Sequence, residues 1–171
     1  TKVYDPLNEF DEEYFEFGLF MSRREYKTIN RRLQAGRLAS AKEGNYLGRF
    51  APYGYDKVKL AGSKGYSLVP NEEADAVKLI YNLYVNEGVT PGLIAKRLTE
   101  LGYKPRNGGD QFPTASVRDI LMNPVYCGKI RWKVRAQKKI VVNGQIKIER
   151  PRSDCDVYEG KHEAIISEEI F

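Results

Sequence analysis

The sequence predicts a mostly α-helical fold with small β-hairpins, an α+β class, and three observations carry that prediction. Residues 10–42 contain no proline and only two glycines, so one long helix is the simplest interpretation. Thr90-Pro91 and Pro113-Thr114 each place proline beside threonine, a pattern typical of helix starts. Asn143-Gly144 joins two strand-like runs and predicts a type I′ β-hairpin.

The N-terminal segment, residues 1–43, is predicted to be a single helix from Phe10 to about Lys42. At 1.5 Å per residue such a helix is roughly 45 to 50 Å long. Its apolar residues form two stripes on different faces, so we expect it to pack against two partners, one before and one after it in the chain. The stripes consist of Phe10, Tyr14, Phe17 and Met21, and of Tyr26, Ile29 and Leu33.

The chain between the long helix and the next helix is predicted to be non-helical. Residues 44–55 should form an extended arm, because three glycines and a proline punctuate them too closely for a helix. Tyr53 and Tyr55 in this arm are interpreted as packing residues. Two short strands at about 57–60 and 66–69 follow, and the glycines between them predict a hairpin.

Three helices are predicted within a domain that extends over residues 56–152. The first begins at Asn71 as its N-cap, and two acids in its first turn favour the start. The second, from Thr90-Pro91, stops at Gly102, and the third stops before Pro124. The last two resemble a helix-turn-helix with an elongated turn. The residues expected to point inward are Val77, Ile80, Tyr81 and Tyr84 in the first helix, Ile94, Leu98 and Leu101 in the second, and Val117, Ile120 and Leu121 in the third.

The C-terminal region, residues 128–152, is strand-like and strongly basic. Nine of its 25 residues are Lys or Arg, and only Glu149 is acidic. The runs 140–142 and 145–148 are expected to pair around the Asn143-Gly144 turn as a basic β-hairpin. Residues 153–171 are interpreted as the beginning of a connection to a further element.

Charge is strongly segregated along the chain. The net charge is +5, but the first 20 and the last 19 residues are each net −5. Residues 21–152 therefore carry 26 Lys and Arg against 11 Asp and Glu, a net charge of +15. Arginines interleaved with aromatic residues favour phosphate and base contacts over mere solubility. We expect the partner to be double-stranded DNA.

Several other functional classes find no support in the sequence. No apolar run approaches the roughly 20 residues that cross a bilayer, so we expect no membrane partner and a cytoplasmic location. Cys127 and Cys155 lack CxxC spacing and are expected to be reduced thiols. His162 is expected at the surface or at a cap. With no nucleophile-base pair, phosphate loop or nucleotide fingerprint, we predict no catalytic residue, no metal and no cofactor in this chain.

The predicted DNA contacts fall on four parts of the chain. The helix that starts at Thr114 is expected to enter the major groove, because its outer face offers Arg118 for guanine and Ala115 for a thymine methyl. Arg49 in the arm fits a narrow, A·T-rich minor groove. For the long helix and the Thr114 helix, an ordinary solvent-exposed face is the alternative. The full set is Arg23, Lys27, Arg31 and Arg37 on the long helix, Arg49 and Arg106 in the arm and the loop 104–109, Thr114, Ala115, Ser116, Arg118 and Asp119 on the last helix, and Lys129, Arg131, Lys133 and Arg135 in the basic region.

A series of short motifs occurs in order along the chain. They are Glu25, Arg31 or Arg32, Gly36, Gly44, Pro52-Tyr53-Gly54-Tyr55, Val69-Pro70-Asn71-Glu72-Glu73-Ala74, Ala95-Lys96-Arg97-Leu98, and the run from Val117 to Gly128 with its Ile-Leu-x-Asn-Pro-x-Tyr-x-Gly block. Their order and approximate spacing resemble the recombinase domain of large serine recombinases, the phage integrases and the transposases or resolvases of mobile elements.

The resemblance implies a parent enzyme whose serine attacks the scissile phosphodiester, forms a phosphoserine link and exchanges strands in a dimer or tetramer. That serine lies in an N-terminal resolvase-like domain, so residues 1–43 are expected to lead from it. Residues 44–55 would contact DNA, 56–152 would form the DNA-binding domain, and 153–171 would approach a zinc ribbon whose cysteines are absent. The chain itself is expected not to cleave DNA, and to come from a bacterium, phage or mobile element.

Two rival interpretations belong to other classes. The chain is alternatively a stand-alone helix-turn-helix transcriptional regulator, but a long helix with two unrelated apolar stripes does not suit that class. An RNA-binding or protein-interaction module is the third interpretation, although the paired surface aromatics of an RNA-stacking platform are missing.

Overall fold

The computed structural model describes residue 5 and residues 7–132, 138–149 and 155–171. It divides the chain into two compact units, one ending at Ala39 and the other extending from Ser40 to Phe171. Helix α1, Glu9–Lys42, makes up most of the first unit. Helices combined with small antiparallel sheets confirm the predicted α+β class.

Helix α1 begins one residue before the predicted start and ends at the predicted residue. Its 34 residues contain no proline and carry three acids in the first turn, where the helix dipole favours negative charge. All seven members of the two apolar stripes are exposed. The packing that the sequence predicts for these stripes stays a prediction.

The arm at residues 44–55 is non-helical, as predicted, but it is a loop held along the second unit. Its main chain bonds to two distant segments: Tyr46 N donates to Tyr66 O at 2.7 Å, and Lys161 N donates to Gly44 O at 3.0 Å. These two hydrogen bonds tie the main chain of the arm to strand β2 and to the C-terminal segment of the same unit.

Strands β1, Tyr55–Lys59, and β2, Tyr66–Pro70, form the predicted antiparallel hairpin. Gly54 turns the chain into β1 with a φ of +82°, and a Cβ at this position would collide with the Val77 side chain. Glycine is therefore required there for both its conformation and its small size.

Three helices follow, and all three confirm the predicted elements. They are α2, Ala74–Val85, α3, Pro91–Glu100, and α4, Thr114–Leu121. Asn71 is not the N-cap of α2: its Oδ1 accepts a hydrogen bond from Glu73 N at 3.0 Å, so it opens a turn that precedes the helix. Gly102 ends α3 with a φ of +83°, as its position predicts.

The core lies where these helices meet the first hairpin. Tyr84 and Leu101, both predicted to point inward, are instead exposed. Each lies in the last turn or at the cap of its helix, beyond the buried cluster. Tyr53 and Tyr55 of the arm are buried, as interpreted from the sequence. The main buried residues are Tyr53, Tyr55, Leu68, Val77, Ile80, Tyr81, Leu83, Ile94, Leu98, Phe112, Val117, Ile120, Val125, Tyr126 and Ile166.

Three fully buried tyrosines tie separate elements together at the centre of this core. The Tyr55 and Tyr126 rings are stacked with centroids 5.9 Å apart, and Tyr81 meets Tyr126 edge-on at 6.3 Å. Burial raises the pKa of Tyr55 to about 12, so its hydroxyl remains a neutral donor. The three hydroxyls donate to main-chain oxygens: Tyr55 to Glu163 at 2.8 Å, Tyr81 to Ile120 at 3.0 Å, and Tyr126 to Tyr53 at 2.9 Å.

The C-terminal region contains two separate strand pairs. A 3₁₀ turn at Pro124–Cys127 leads into β3, Lys129–Trp132, which pairs with β6, Asp156–Glu159. Strands β4, Lys138–Val142, and β5, Gln145–Glu149, form the predicted basic hairpin. The positive φ of both Asn143 (+52°) and Gly144 (+75°) confirms its type I′ turn.

The last segment packs into the second unit. The described part of residues 153–171, the segment predicted to begin a connection, contributes β6 and the buried Ile166. The expected surface position of His162 is wrong: it is 7% exposed, and its Nε2 donates to Val125 O at 2.7 Å. Its Nδ1 is buried without a hydrogen-bond partner among the described residues.

We predict that the free energy of unfolding of the second unit falls as pH drops below about 6.5. Burial lowers the pKa of His162 below its ordinary value of 6.5, so the unfolded chain binds the proton first. Stability is then lost from pH 6.5 down to the folded-state pKa, with a slope of at most about 1.4 kcal/mol per pH unit.

Urea unfolding at several pH values measures this slope, and the variant His162→Gln serves as the control. Glutamine keeps an N–H for Val125 O but cannot titrate. The stability of the wild type relative to the variant should fall steadily from pH 7 to pH 5. A constant difference over that range would mean that His162 does not couple to folding.

Candidate nucleic-acid interface

Helix α4 presents one face to the core and the opposite face to solvent. Val117 and Ile120 are buried, and the Tyr81 hydroxyl donates to the carbonyl of Ile120. This anchoring from α2 fixes α4 at its C-terminal half. The predicted outer face is exposed at Ala115, Arg118, Asp119 and Met122, with Ser116 at the margin.

Arg118 is the most available cation of this face. Its side chain is exposed, and within the described part of the chain no carboxylate or carbonyl pairs with its guanidinium. All its N–H groups are therefore free to donate to an external acceptor. A bidentate acceptor such as guanine O6 and N7 suits the planar fork of this group.

A cleft of about 200 Å³ lies beside α4 and brings predicted site segments together. Ser116 and Asp119 form its α4 side, and Arg106 of the loop 104–109 is on its wall. Arm residues Pro52 and Tyr53 complete it. The whole lining is Pro52, Tyr53, Pro105, Arg106, Asn107, Phe112, Ser116, Asp119, Ile120, Asn123 and Tyr126.

Arg49 lies at the exposed tip of the arm. Its guanidinium carbon is 5.1 Å from the centre of the exposed Phe50 ring, a cation–π contact. The tip is held from below, because Tyr46 Oη donates to Phe50 O at 2.7 Å and Lys57 Nζ donates to Gly48 O at 2.8 Å. The arm thus displays a cation and a ring on a supported loop.

Two of the predicted cations already have partners within the chain. Lys129 forms an ion pair with Glu168. Arg131 is half-buried, and its guanidinium donates to Asn123 Oδ1 at 3.1 Å and to Met122 O at 3.4 Å. Arg131 thus caps the C-terminal end of α4, which makes it a support for the outer face of that helix.

The remaining predicted site residues lie on other parts of the chain. Arg23, Lys27, Arg31 and Arg37 are exposed on the part of α1 that belongs to the first unit. The first three follow the i, i+4, i+8 spacing of one helix face. Lys133 and Arg135 lie outside the described residues. Thr114 is half-buried at the start of α4 and also lines a shallow depression with α3.

The structure adds residues that sequence reasoning assigned no binding role. Asn123 lines the cleft together with Asn107 and Phe112. Asn123 lies seven residues after Ser116 and four after Asp119, so helical periodicity places it on the same side as both. Its position directly before Pro124 marks a helix end, which hid this signal in the sequence. Asn107 lies in an irregular loop and gives no such signal.

Other site chemistry is sparse among the described residues. Burial raises the pKa of the Cys127 thiol, which disfavours the reactive thiolate. No group of three or more His, Cys, Asp or Glu side chains is placed there to hold a metal ion. Among the residues that the structure describes, no helix is both long and apolar enough to cross a membrane.

Two kinds of comparison relate this sequence to known proteins. A protein-family model described as Recombinase matches residues 71–171, the range that holds α2 to α4 and both C-terminal strand pairs. A protein of Bacillus subtilis (strain 168) described as "Putative DNA recombinase" is 33% identical over 116 residues. The match covers 65% of this chain but 22% of that protein, so the chain corresponds to about a fifth of its relative.

Proposed function

The chain belongs to the Recombinase family, and from this membership we propose that it binds duplex DNA sequence-specifically as part of a site-specific recombinase. The match agrees with the recombinase-domain motifs of the sequence. The observation that carries the proposal is the outer face of α4, where Arg118 has no partner among the described residues. Beside it, the cleft joins α4 to the arm and to the loop at Arg106.

In this proposal α4 enters the major groove as the second helix of a helix-turn-helix formed with α3. Arg118, Asp119, Ala115 and Ser116 would face base edges, where arginine reads guanine and a carboxylate accepts from the cytosine amine. Asp119 would also repel a phosphate, so its presence favours a base-facing position. The Arg131 cap and the hydrogen bond from the Tyr81 hydroxyl would hold α4 in position for these base contacts.

The arm and the cationic segments would hold the DNA backbone. Arg49 at the supported tip suits a minor groove, which attracts arginine where it is narrow. Arg106 would contact a phosphate beside the cleft, together with Lys133 and Arg135 of the basic region. The excess of 26 Lys and Arg over 11 acids in residues 21–152 supports this polyanion-binding role.

For the whole protein we propose strand exchange in a dimer or tetramer, through a phosphoserine link to DNA made by a serine outside this chain. It would act in the cytoplasm on bacterial, phage or mobile-element DNA. A stand-alone regulator would use the same helix face, but membership of the Recombinase family favours recombination.

We predict that duplex binding weakens steeply as salt rises, because neutralised phosphates release counterions. The slope of log K against log salt is about −0.9 for each phosphate contacted, roughly 3.5-fold in affinity per contact between 50 and 200 mM. Lys133→Ala should make the slope shallower by about one on every sequence, since a phosphate contact carries no sequence information.

Binding isotherms on a fixed duplex at five salt concentrations measure these slopes. Lys78→Ala is the matched control, because this exposed lysine already pairs with Asp75 at 3.4 Å on α2. Its slope should equal that of the wild type. An affinity that does not change with salt would remove the electrostatic part of the proposed function.

A further inference from the structure

The β4–β5 hairpin has an apolar face at its outer end. Cross-strand partners share a face, so the register places Val141 beside Ile146, and alternation adds Ile148 to the same side. These three side chains are 72%, 70% and 49% exposed, in that order. We call Val141, Ile146 and Ile148 the apolar face of the hairpin.

This exposure is unusual for so small an element. The two strands pair only with each other in the described part of the chain. An isolated two-stranded hairpin is marginally stable in water, and β-branched side chains at its tip gain nothing while they remain hydrated. A binding partner that covers the apolar face would stabilise the hairpin as well as bury apolar surface of its own.

We propose that the apolar face inserts into the DNA major groove and contacts the methyl groups of thymines. The proposal rests on the proposed function, because it assumes that the chain binds duplex DNA. It assigns the hairpin a base-reading role, separate from that of α4 and from the phosphate contacts expected of its lysines and arginines.

Charge selects DNA among the possible occupants. The region 128–152 that contains the hairpin has nine Lys and Arg and a single acid, Glu149. Such a surface is complementary to a polyanion, whereas a second copy seated face to face would bring two equally cationic hairpins together. An apolar protein surface would leave these charges without a partner.

The width of the hairpin selects the major groove, and its aliphatic side chains select contact with thymine methyl groups. A two-stranded ribbon fits the major groove, about 12 Å wide, but not the narrower minor groove. The base-pair edge offers one prominent apolar group there, the C5 methyl of thymine, and aliphatic side chains pack against it. Valine and isoleucine make no hydrogen bonds, so they would discriminate by methyl contact alone.

The test uses duplexes that the wild-type chain recovers from a random-sequence pool, prepared with thymine or with uracil at every thymine position. Uracil pairs identically but lacks the methyl. The variant is Val141→Ser/Ile146→Ser. The matched control is Ile140→Ser/Val142→Ser, which removes one valine and one isoleucine from the opposite face of the same hairpin.

On thymine DNA the apolar-face variant should bind more weakly than the control, by roughly fourfold for each thymine methyl that the wild type covers. On uracil DNA that gap should close, because the methyl groups are absent for both proteins. Equal affinity of the two variants on thymine DNA, with Arg118→Ala still impaired, would overturn the proposal and leave the proposed function intact.

Two other results would also overturn it. A gap that persists unchanged on uracil DNA would show that the apolar face acts without touching methyl groups. Wild-type dimers that the apolar-face variant converts to monomers, with DNA affinity unchanged, would make a second copy the occupant. Failure of the wild type to bind any duplex would instead remove the proposed function itself.

Discussion

Replacing Tyr126 with alanine is expected to destabilise the second unit by about 3 to 5 kcal/mol, the usual cost of removing a buried aromatic side chain. Tyr126 is 1% exposed, and its ring packs against both Tyr55 and Tyr81. Since small domains have a total stability of about 5 to 15 kcal/mol, this single change should bring the unit close to unfolding.

Tyr126→Phe separates the ring from the hydroxyl. It keeps the packing but leaves the carbonyl of Tyr53 without its donor at 2.9 Å, which should cost about 1 to 3 kcal/mol. Because Tyr53 and Tyr126 both line the cleft beside α4, this variant should also weaken DNA binding beyond its effect on folding.

Urea unfolding followed by the fluorescence of Trp132 measures these changes. Trp132 is the single tryptophan and is buried in the second unit, so its signal reports that unit alone. Tyr84→Ala is the matched control, because Tyr84 is exposed and should change the stability by less than about 0.5 kcal/mol. A Tyr126→Ala midpoint near that of the wild type would contradict the central role of the tyrosine cluster.

The helices were predictable because their start and stop signals are local. Pro91 at the first position of α3, Gly102 after it and the turn at Asn143 each act through their own backbone conformation. Burial near helix ends depends instead on where neighbouring elements stop. Tyr84 and Leu101 continue the apolar stripe but lie past the core, which no local pattern reveals.

The features that sequence reasoning missed depend on distant parts of the chain. Strand β3 pairs with β6 across more than twenty residues, and no turn motif announces that pairing. The position of His162 follows from it, because the end of β6 brings the imidazole to the carbonyl of Val125. A lone histidine in an acidic segment gives no sign of such burial.

The candidate site was predictable on α4 and less so around it. Helical periodicity separates the buried Val117 and Ile120 from the exposed Arg118, and the structure agrees with that division. The internal partners of Lys129 and Arg131 were not visible, because each depends on a contact made by folding. A positively charged residue in a basic run can thus support the site instead of contacting DNA.

Arg118→Ala is expected to lose about 1 to 3 kcal/mol of binding free energy on the selected DNA site, roughly 5- to 150-fold in affinity. The loss should be much smaller on random duplexes, because a bidentate base contact carries sequence discrimination while phosphate contacts do not. A second round of selection with the variant should show relaxed preference at one base position.

Arg97→Ala is the matched control for this experiment. Arg97 is an exposed arginine on the neighbouring helix α3, but its guanidinium already pairs with Glu87 at 3.5 Å. The substitution removes the same charge without removing a free bidentate donor, so its effect should be small and equal on both DNAs. If Arg118→Ala also weakens binding equally on selected and random duplexes, Arg118 contacts the backbone, and the base-reading helix lies elsewhere in the chain.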